Sequence, residues 1–308
     1  MIFGINRRGE VAATRLVPDT KADELMSRRR GGLSGPYWPG HSPHACLYSK
    51  GKWIDLGSLG GGFSIARCLN GSGDIVGVSD TDEGDRHAFL YSKGKMRDLG
   101  TLGGSASEAL AINDRGQIVG WSVTAGGVRH LFLYAGGKLT DLGPPEGLDY
   151  CSACIDESGR IGGYFSKGDA WHAFRYPAGA FSALSDSEAE GIEAISRSGL
   201  VVGQAEDKSG RLGSFVIRGS AKSHINHFWA FGVNAPGQVV GQSIGTAADG
   251  AMLYFKGKLL DLNQMLDSTA AGWFVQSGYA INDAGLIVAE AYHKGGGPHV
   301  VLLTPPAR

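Results

Sequence analysis

Apolar residues along this chain come in short clusters of four to six, each bounded by Gly, Asn, Asp or Ser, and the same order of clusters returns again and again. Ala111-Ile112-Asn113-Asp114-Arg115-Gly116-Gln117-Ile118-Val119-Gly120 shows the pattern most clearly. Short, partly alternating apolar runs broken by turn formers predict β-strands, and a fixed order of them predicts a repeat protein. The turn residue of this block recurs at Asn6, Asn70, Asn113, Asp156, Ser196, Asn234 and Asn282. At each of these sites a short side chain can accept hydrogen bonds from nearby amides. Gly follows three residues later every time, as a hairpin with a positive-φ position requires.

Two further blocks complete each unit, exemplified by His87-Ala88-Phe89-Leu90-Tyr91 and Lys95-Met96-Arg97-Asp98-Leu99-Gly100. Four short strands in about 43 residues match one propeller blade. The expected fold is all-β: a seven-bladed β-propeller of four-stranded antiparallel blades, forming one domain over residues 1–308. The repeats fall at approximately 1–63, 64–104, 105–147, 148–187, 188–227, 228–268 and 269–308, with an insertion over roughly 16–43 in repeat one. Repeat one opens in its first strand and repeat seven ends after its third, Val300-Val301-Leu302-Leu303-Thr304, so one blade is expected to lack a strand. An upstream segment with a signal peptide and the additional strand is the corresponding expectation.

The blocks Asn-x-x-Gly-x-Ile-Val-Gly, His-Ala-Phe-Leu-Tyr and Asp-Leu-Gly-Thr-Leu-Gly-Gly resemble the HAF repeat, named for its His-Ala-Phe. The resemblance covers almost the whole chain. It is sharpest in repeats two and three, while the Asp-Leu-Gly block fades in repeats four and five. It implies a bacterial repeat protein located outside the cytoplasm, extracellular or periplasmic, with no settled activity. The N-terminus itself, Met1-Ile2-Phe3-Gly4-Ile5-Asn6, lacks the layout of a signal peptide, which read literally means a cytoplasmic chain.

Charge changes the picture only by exclusion. With 29 basic and 30 acidic residues in 308, nothing draws the chain to nucleic acid or an anionic membrane. No apolar run reaches the roughly 18 residues of a spanning helix. A monomer is expected. Cys151 and Cys154 form a lone C-x-x-C, weak for zinc or redox work, and Cys68 and Cys154 occupy a small-residue position of the repeat. Buried thiols are expected there.

Candidate chemistry is sparse, and no catalytic residue is assigned. His44, His87, His130, His172 and His299 share one repeat position. They should therefore sit in different blades, too far apart to converge on a metal, and each is expected to hydrogen-bond within its own blade. Gly241-Gln242-Ser243-Ile244-Gly245 matches a nucleophile elbow, but no helix follows. The loop around Asp80, Asp82 and Asp85 offers carboxylates beside Gly84. It reads as a solvated hairpin tip, with a calcium site as the alternative.

Arg28, Arg29, Arg30, Tyr37 and Trp38 lie in the insertion, and His227, Trp229 and Trp273 lie in or near connections expected on the same face. Guanidinium groups and aromatic rings around a mouth suit a saccharide, an anionic molecule or a protein. The expected function is therefore non-enzymatic binding of a ligand or protein partner through the variable-loop face. The alternative is a propeller enzyme, a metal-assisted hydrolase or lyase acting on a saccharide or lactone at a central channel.

Overall fold

The computed structural model describes residues 2–18, 40–143, 150–167, 170–176, 182–183, 191–206, 210, 212–218, 221–245, 250–294 and 296–305. Two compact units divide the chain, Met1–Asp149 and Tyr150–Arg308. Repeats one to three make the first and repeats four to seven the second.

In the first unit, repeat one is a four-stranded sheet of Ile2–Ile5, Val11–Pro18, His41–Ser49 and Lys52–Asp55. Repeat two supplies Gly60–Leu69, Ile75–Thr81, Arg86–Ser92 and Lys95–Asp98. Repeat three supplies Gly103–Ile112, Ile118–Thr124, Arg129–Ala135 and Lys138–Gly143. A single parallel pairing of Arg86 with Ala106 joins these two sets into one eight-stranded sheet.

In the second unit, repeat four holds Tyr150–Ile155, Ile161–Lys167, Ala170–Tyr176 and Ser182–Ala183. Repeat five holds Gly191–Ile195, Val201–Glu206, Leu212–Arg218 and Ala221–Asn226, and repeat six Phe228–Val233, Val239–Ser243, Ala251–Phe255 and Lys258–Asp261. Repeat seven has three strands, Trp273–Ile281, Ile287–His293 and Pro298–Leu303. Within every repeat the strands lie in chain order, each antiparallel to the next.

One turn recipe opens all seven repeats. At Asn70 the main-chain N–H donates to the Asp74 carbonyl, and the Gly73 N–H donates back to the Asn70 carbonyl. The Asn70 Oδ1 accepts from the amides of Ser72 and Asp74 at 3.0 and 2.9 Å. Gly73 has φ +83°, where a side chain would be strained. The same main-chain pair recurs at Asn6, Asn113, Asp156, Ser196, Asn234 and Asn282. Asn6, Asn70 and Asn234 also bind forward, each donating from Nδ2 to the main-chain carbonyl of the next repeat's turn residue.

The core lies between consecutive sheets. Ala45, Leu47 and Leu56 of repeat one pack on Ala66, Leu69 and Phe89 of repeat two. Val76, Ala88 and Leu90 of repeat two pack in turn on Ala109, Ile112 and Phe132 of repeat three. Equivalent layers join repeats five to six and six to seven. Inside each sheet, a pairing of the second strand with the third sets the volume. Gly77 faces Phe89, Gly120 faces Phe132, Gly163 faces Phe174 and Gly203 faces Phe215, and all four Phe rings are fully buried. Repeats one and seven lack both, with Ala13 facing Cys46 and Ala289 facing Val301, while in repeat six Gly241 faces Met252 and the ring beside it is that of Phe228. The Phe of the His-Ala-Phe block thus fills the room its opposite glycine leaves.

In the first unit, the connections from the fourth strands of repeats one and two to the next first strand are tied down by buried serines. The Ser107 Oγ accepts from the Ala88 N–H and donates to the Gly100 carbonyl, and Ser64 does the same for Ala45 and Gly57. Ser79 and Ser122 take the amides of Leu59 and Leu102. First strands of successive repeats therefore pack against one another inside each unit.

Candidate functional site

The first strands carry a second regularity that the turn recipe hides. Three residues before the turn residue, the ladder skips one position. Register breaks fall between Ala66 and Cys68, between Ile192 and Ala194, between Ala230 and Gly232, and between Gly278 and Ala280. Ala109 and Ala111 likewise pair with adjacent Gly120 and Val119. With Phe3 in repeat one, the skipped residues are Arg67, Leu110, Glu193, Phe231 and Tyr279, each a bulge excluded from strand pairing, while the first strand of repeat four pairs without a break. Small residues flank them, save Ile2 beside Phe3 and Ile192 beside Glu193, yet the bulged residue itself has no common chemistry.

In the first unit the bulge of repeat two meets the next repeat. Arg67 Nε lies 2.5 Å from Glu108 Oε1, a residue five before its own turn Asn113. In the second unit the row is aromatic and acidic. The rings of Phe231 and Tyr279 lie 5.7 Å apart between centroids. Ser277 Oγ donates to Gln242 Oε1 at 3.0 Å, and Gln242 stands opposite Trp229 in the sheet. Tyr292 donates its hydroxyl to Glu290 at 3.0 Å. Burial, and then the charge of Glu290, push the Tyr279 hydroxyl above its usual range. Burial pushes the Glu193 carboxyl up to about 7, which poises it between its neutral and charged forms at neutral pH.

Above the row stands a second aromatic group in repeat seven. Trp273 opens the first strand and pairs with His293 at the end of the second. Its ring lies 5.1 Å from the His293 ring and 5.2 Å, edge-on, from His299. Asn263 fixes this corner, accepting from the Val275 N–H at 2.7 Å and donating to the Val275 carbonyl at 2.9 Å.

The residues singled out in the sequence distribute as follows. Arg28, Arg29, Arg30, Tyr37 and Trp38 lie outside the described residues. The strands flanking their insertion run further than expected, pairing as far as Pro18 with His41. His227 sits in a turn at φ +57°, and Trp229 lies in the first strand of repeat six. Asp80 is buried and bound by Arg86 Nε at 3.1 Å, while the Arg86 guanidinium stacks on Phe63. Asp82 is exposed at the hairpin tip, and the Asp85 carbonyl closes the turn onto the Thr81 N–H. The three aspartates are not gathered for a cation, and no group of three metal-ligating side chains occurs among the described residues.

Three of the recurrent histidines pair with the Asp of the Asp-Leu-Gly block in their own sheet. His44, His87 and His130 meet Asp55, Asp98 and Asp141 through Nδ1 at 3.0, 2.7 and 2.9 Å. The His172 side chain lies outside the described residues. Ser243 is buried and takes the Gly250 N–H at 2.9 Å, a structural contact. All four cysteines are free thiols, and burial raises those of Cys46 and Cys68. The sequence reading missed Glu193, Phe231 and Tyr279. The available signal was a repeat position whose residue varies while its neighbours stay small.

No family model matches the chain, and no curated protein matches it. Solved structures share its fold. The β-propeller domain of the Trilobed protease from Pyrococcus furiosus, described as having an open velcro topology, is similar with a TM-score of 0.62 at 7% identity. That match covers 98% of this chain and 95% of that one. A puromycin-hydrolyzing peptidase of Mycobacterium tuberculosis (TM-score 0.59, 10% identity, 99% of this chain) is similar too. So is the Pyrococcus horikoshii acylaminoacyl peptidase (TM-score 0.55, 12% identity, 97% of this chain). The chain spans about half the length of these two peptidases, 51% and 52%. The fold is all-β and of the kind these propellers have. No helix among the described residues is long and apolar enough to cross a membrane.

Proposed function

We propose that the protein is a non-enzymatic seven-bladed propeller that binds a saccharide-like ligand along the bulge row of its first strands. The observation that carries this reading is a contrast along the repeats: the turn residue and its glycine recur in all seven, while the unpaired bulge, where present, changes chemistry. In repeats five to seven that row offers flat rings (Trp229, Phe231, Tyr279) and hydrogen-bonding groups (Glu193, Gln242, Ser277). Rings that stack on apolar sugar faces, with a few polar groups that fix hydroxyls, are what such a ligand requires. Trp273 and the variable loops would then guard the entrance. A monomeric protein acting outside the cytoplasm, as the HAF-repeat resemblance implies, completes the proposal.

A second reading draws on the same acid. A carboxyl near pKa 7 suits a general acid, so a hydrolase or lyase acting on a saccharide or lactone would use Glu193. One experiment separates the two. A thermal-shift panel of oligosaccharides identifies a ligand, because anything preferring the native state raises the melting point. The shift should vanish in Trp229→Ala and persist, weakened, in Glu193→Gln, with the ligand recovered chemically unchanged. A shift that survives Trp229→Ala overturns the site, and turnover abolished by Glu193→Gln overturns the non-enzymatic reading.

A further inference from the structure

Charge separates the bulge row of the second unit from its counterpart in the first. In repeats two and three, the bulge and the facing pair two residues before it hold one base and one acid, Arg67 and Glu108, and these are bonded to each other. In repeats five to seven the same positions hold two acids, Glu193 and Glu290, and no basic residue. Among the described residues no Lys, Arg or His is paired with either carboxyl. A half-buried carboxylate without a counter-charge is unfavourable, so the row holds negative charge that the fold itself leaves unanswered.

Aromatic rings stand around the second of these acids. Glu290 lies opposite Ser277 in the ladder, and Tyr292 follows two residues on, on the same side of its strand. The Tyr292 hydroxyl donates to Glu290 Oε1 at 3.0 Å, while Oε2 has no donor among the described residues. Tyr279, the bulged residue, is near enough that the Glu290 charge adds to burial in raising its hydroxyl, and it shares a hydrogen bond with Ser277. Its ring lies 5.7 Å from that of Phe231. A carboxylate with an open oxygen beside electron-rich rings suits a protonated amine, which donates to the one and is attracted by the others. An anionic sugar would meet two like charges in this row. A neutral one would leave those charges without a partner.

We propose that the ligand of this row is a cationic saccharide, an amino sugar whose free ammonium group lies between the Glu290 carboxylate and the ring of Tyr279. The ammonium donates to Glu290 Oε2, and Tyr292 holds Oε1 in place. Phe231 and Trp229 stack on the sugar rings. This inference rests on the saccharide reading above and narrows it to one chemical class.

Isothermal titration of the intact chain with two sugars of one backbone tests it: a glucosamine tetramer with free amines, and the same tetramer N-acetylated. The free-amine sugar should bind about tenfold more tightly or better, the range of one charge-assisted hydrogen bond. Glu290→Gln keeps the side-chain shape and an acceptor for Tyr292, and it should abolish that preference. Glu108→Gln, at the acid already paired in the first unit, should leave the preference intact. Far-UV circular dichroism checks that each variant is folded. Equal binding of both sugars, lost in Trp229→Ala, overturns the amine and leaves the saccharide reading standing. A preference that survives Glu290→Gln also overturns the proposal, because the amine then sits elsewhere. If neither sugar binds, the proposal falls, and the saccharide reading is decided by the wider thermal-shift panel.

Discussion

The Asn70 side chain holds two repeats at once. Its Oδ1 closes its own turn, and its Nδ2 donates 3.3 Å across to the main-chain carbonyl of Asn113, the equivalent residue one repeat later. Asn6 reaches Asn70 in the same way, so the turns of the first unit form a chained series. Asn70→Ala removes these bonds at a buried site, and a loss of about 2–4 kcal/mol is expected from unsatisfied buried amides. Asn70→Asp keeps the acceptor and loses the forward donor, so it should cost less. Urea denaturation of the two variants ranks them, and an Asn70→Asp variant as stable as the parent would show that the forward bond contributes nothing.

The Gly–Phe pairing predicts non-additivity. A Cβ on Gly77 would sit 1.9 Å from the Ile65 carbonyl oxygen and 3.0 Å from the Phe89 ring. Gly77→Ala should therefore destabilise by several kcal/mol, about 3 or more. Phe89→Val leaves a cavity costing about 2–4 kcal/mol. The double variant copies Ala289 facing Val301 of repeat seven, and its loss should fall short of the sum. Only the ring clash can be relieved this way, because the carbonyl belongs to the neighbouring strand. A strictly additive double variant would mean that the two positions do not share their space.

For the His–Asp pairs the expected effects are small and separable. Asp98 accepts from His87 and also caps the Gly100 N–H at 2.7 Å. Both groups are partly exposed, so His87→Ala should cost only about 0.5 kcal/mol and Asp98→Ala about 1 kcal/mol. The equivalent variants at His44 and His130 share no partner with it and should add. A melting series of single, double and triple histidine variants checks this.

Glu193 should imprint its titration on stability. Its folded-state carboxyl is raised from 4.5 to about 7. Below about pH 4.5 it is neutral in folded and unfolded chains alike, and its contribution is fully present. As pH rises from there to about 7, the unfolded chain ionises first and stability falls. The total loss is up to about 3 kcal/mol, and this group adds no slope beyond it. Glu193→Gln should lack this decline. Urea midpoints at pH 5 and pH 8 measure it: parallel profiles for wild type and Glu193→Gln would refute the burial of a neutral acid.

Much of the framework was readable before any coordinates. The short acceptor and the Gly three residues on dictated the hairpins, because few residue pairs satisfy that main-chain geometry. His44, His87 and His130 were correctly placed inside their own sheets, since residues at one repeat position cannot converge. The bulge row was not readable. A bulge arises where the ladder slips against the partner strand, and Arg67, Leu110 and Glu193 share no property that could announce it. The loop of Asp80, Asp82 and Asp85 reads as a solvated hairpin tip with calcium as the alternative, and what the sequence leaves out is that the strand carries the Asp80 carboxylate into the sheet towards Arg86.

Because the bulged residue has no partner across the ladder, it can be exchanged without disturbing any paired position. Each repeat that carries the bulge therefore offers one replaceable letter on a shared scaffold. A duplicated chain of this kind could acquire a new target through a handful of substitutions, none of which would threaten its ability to fold.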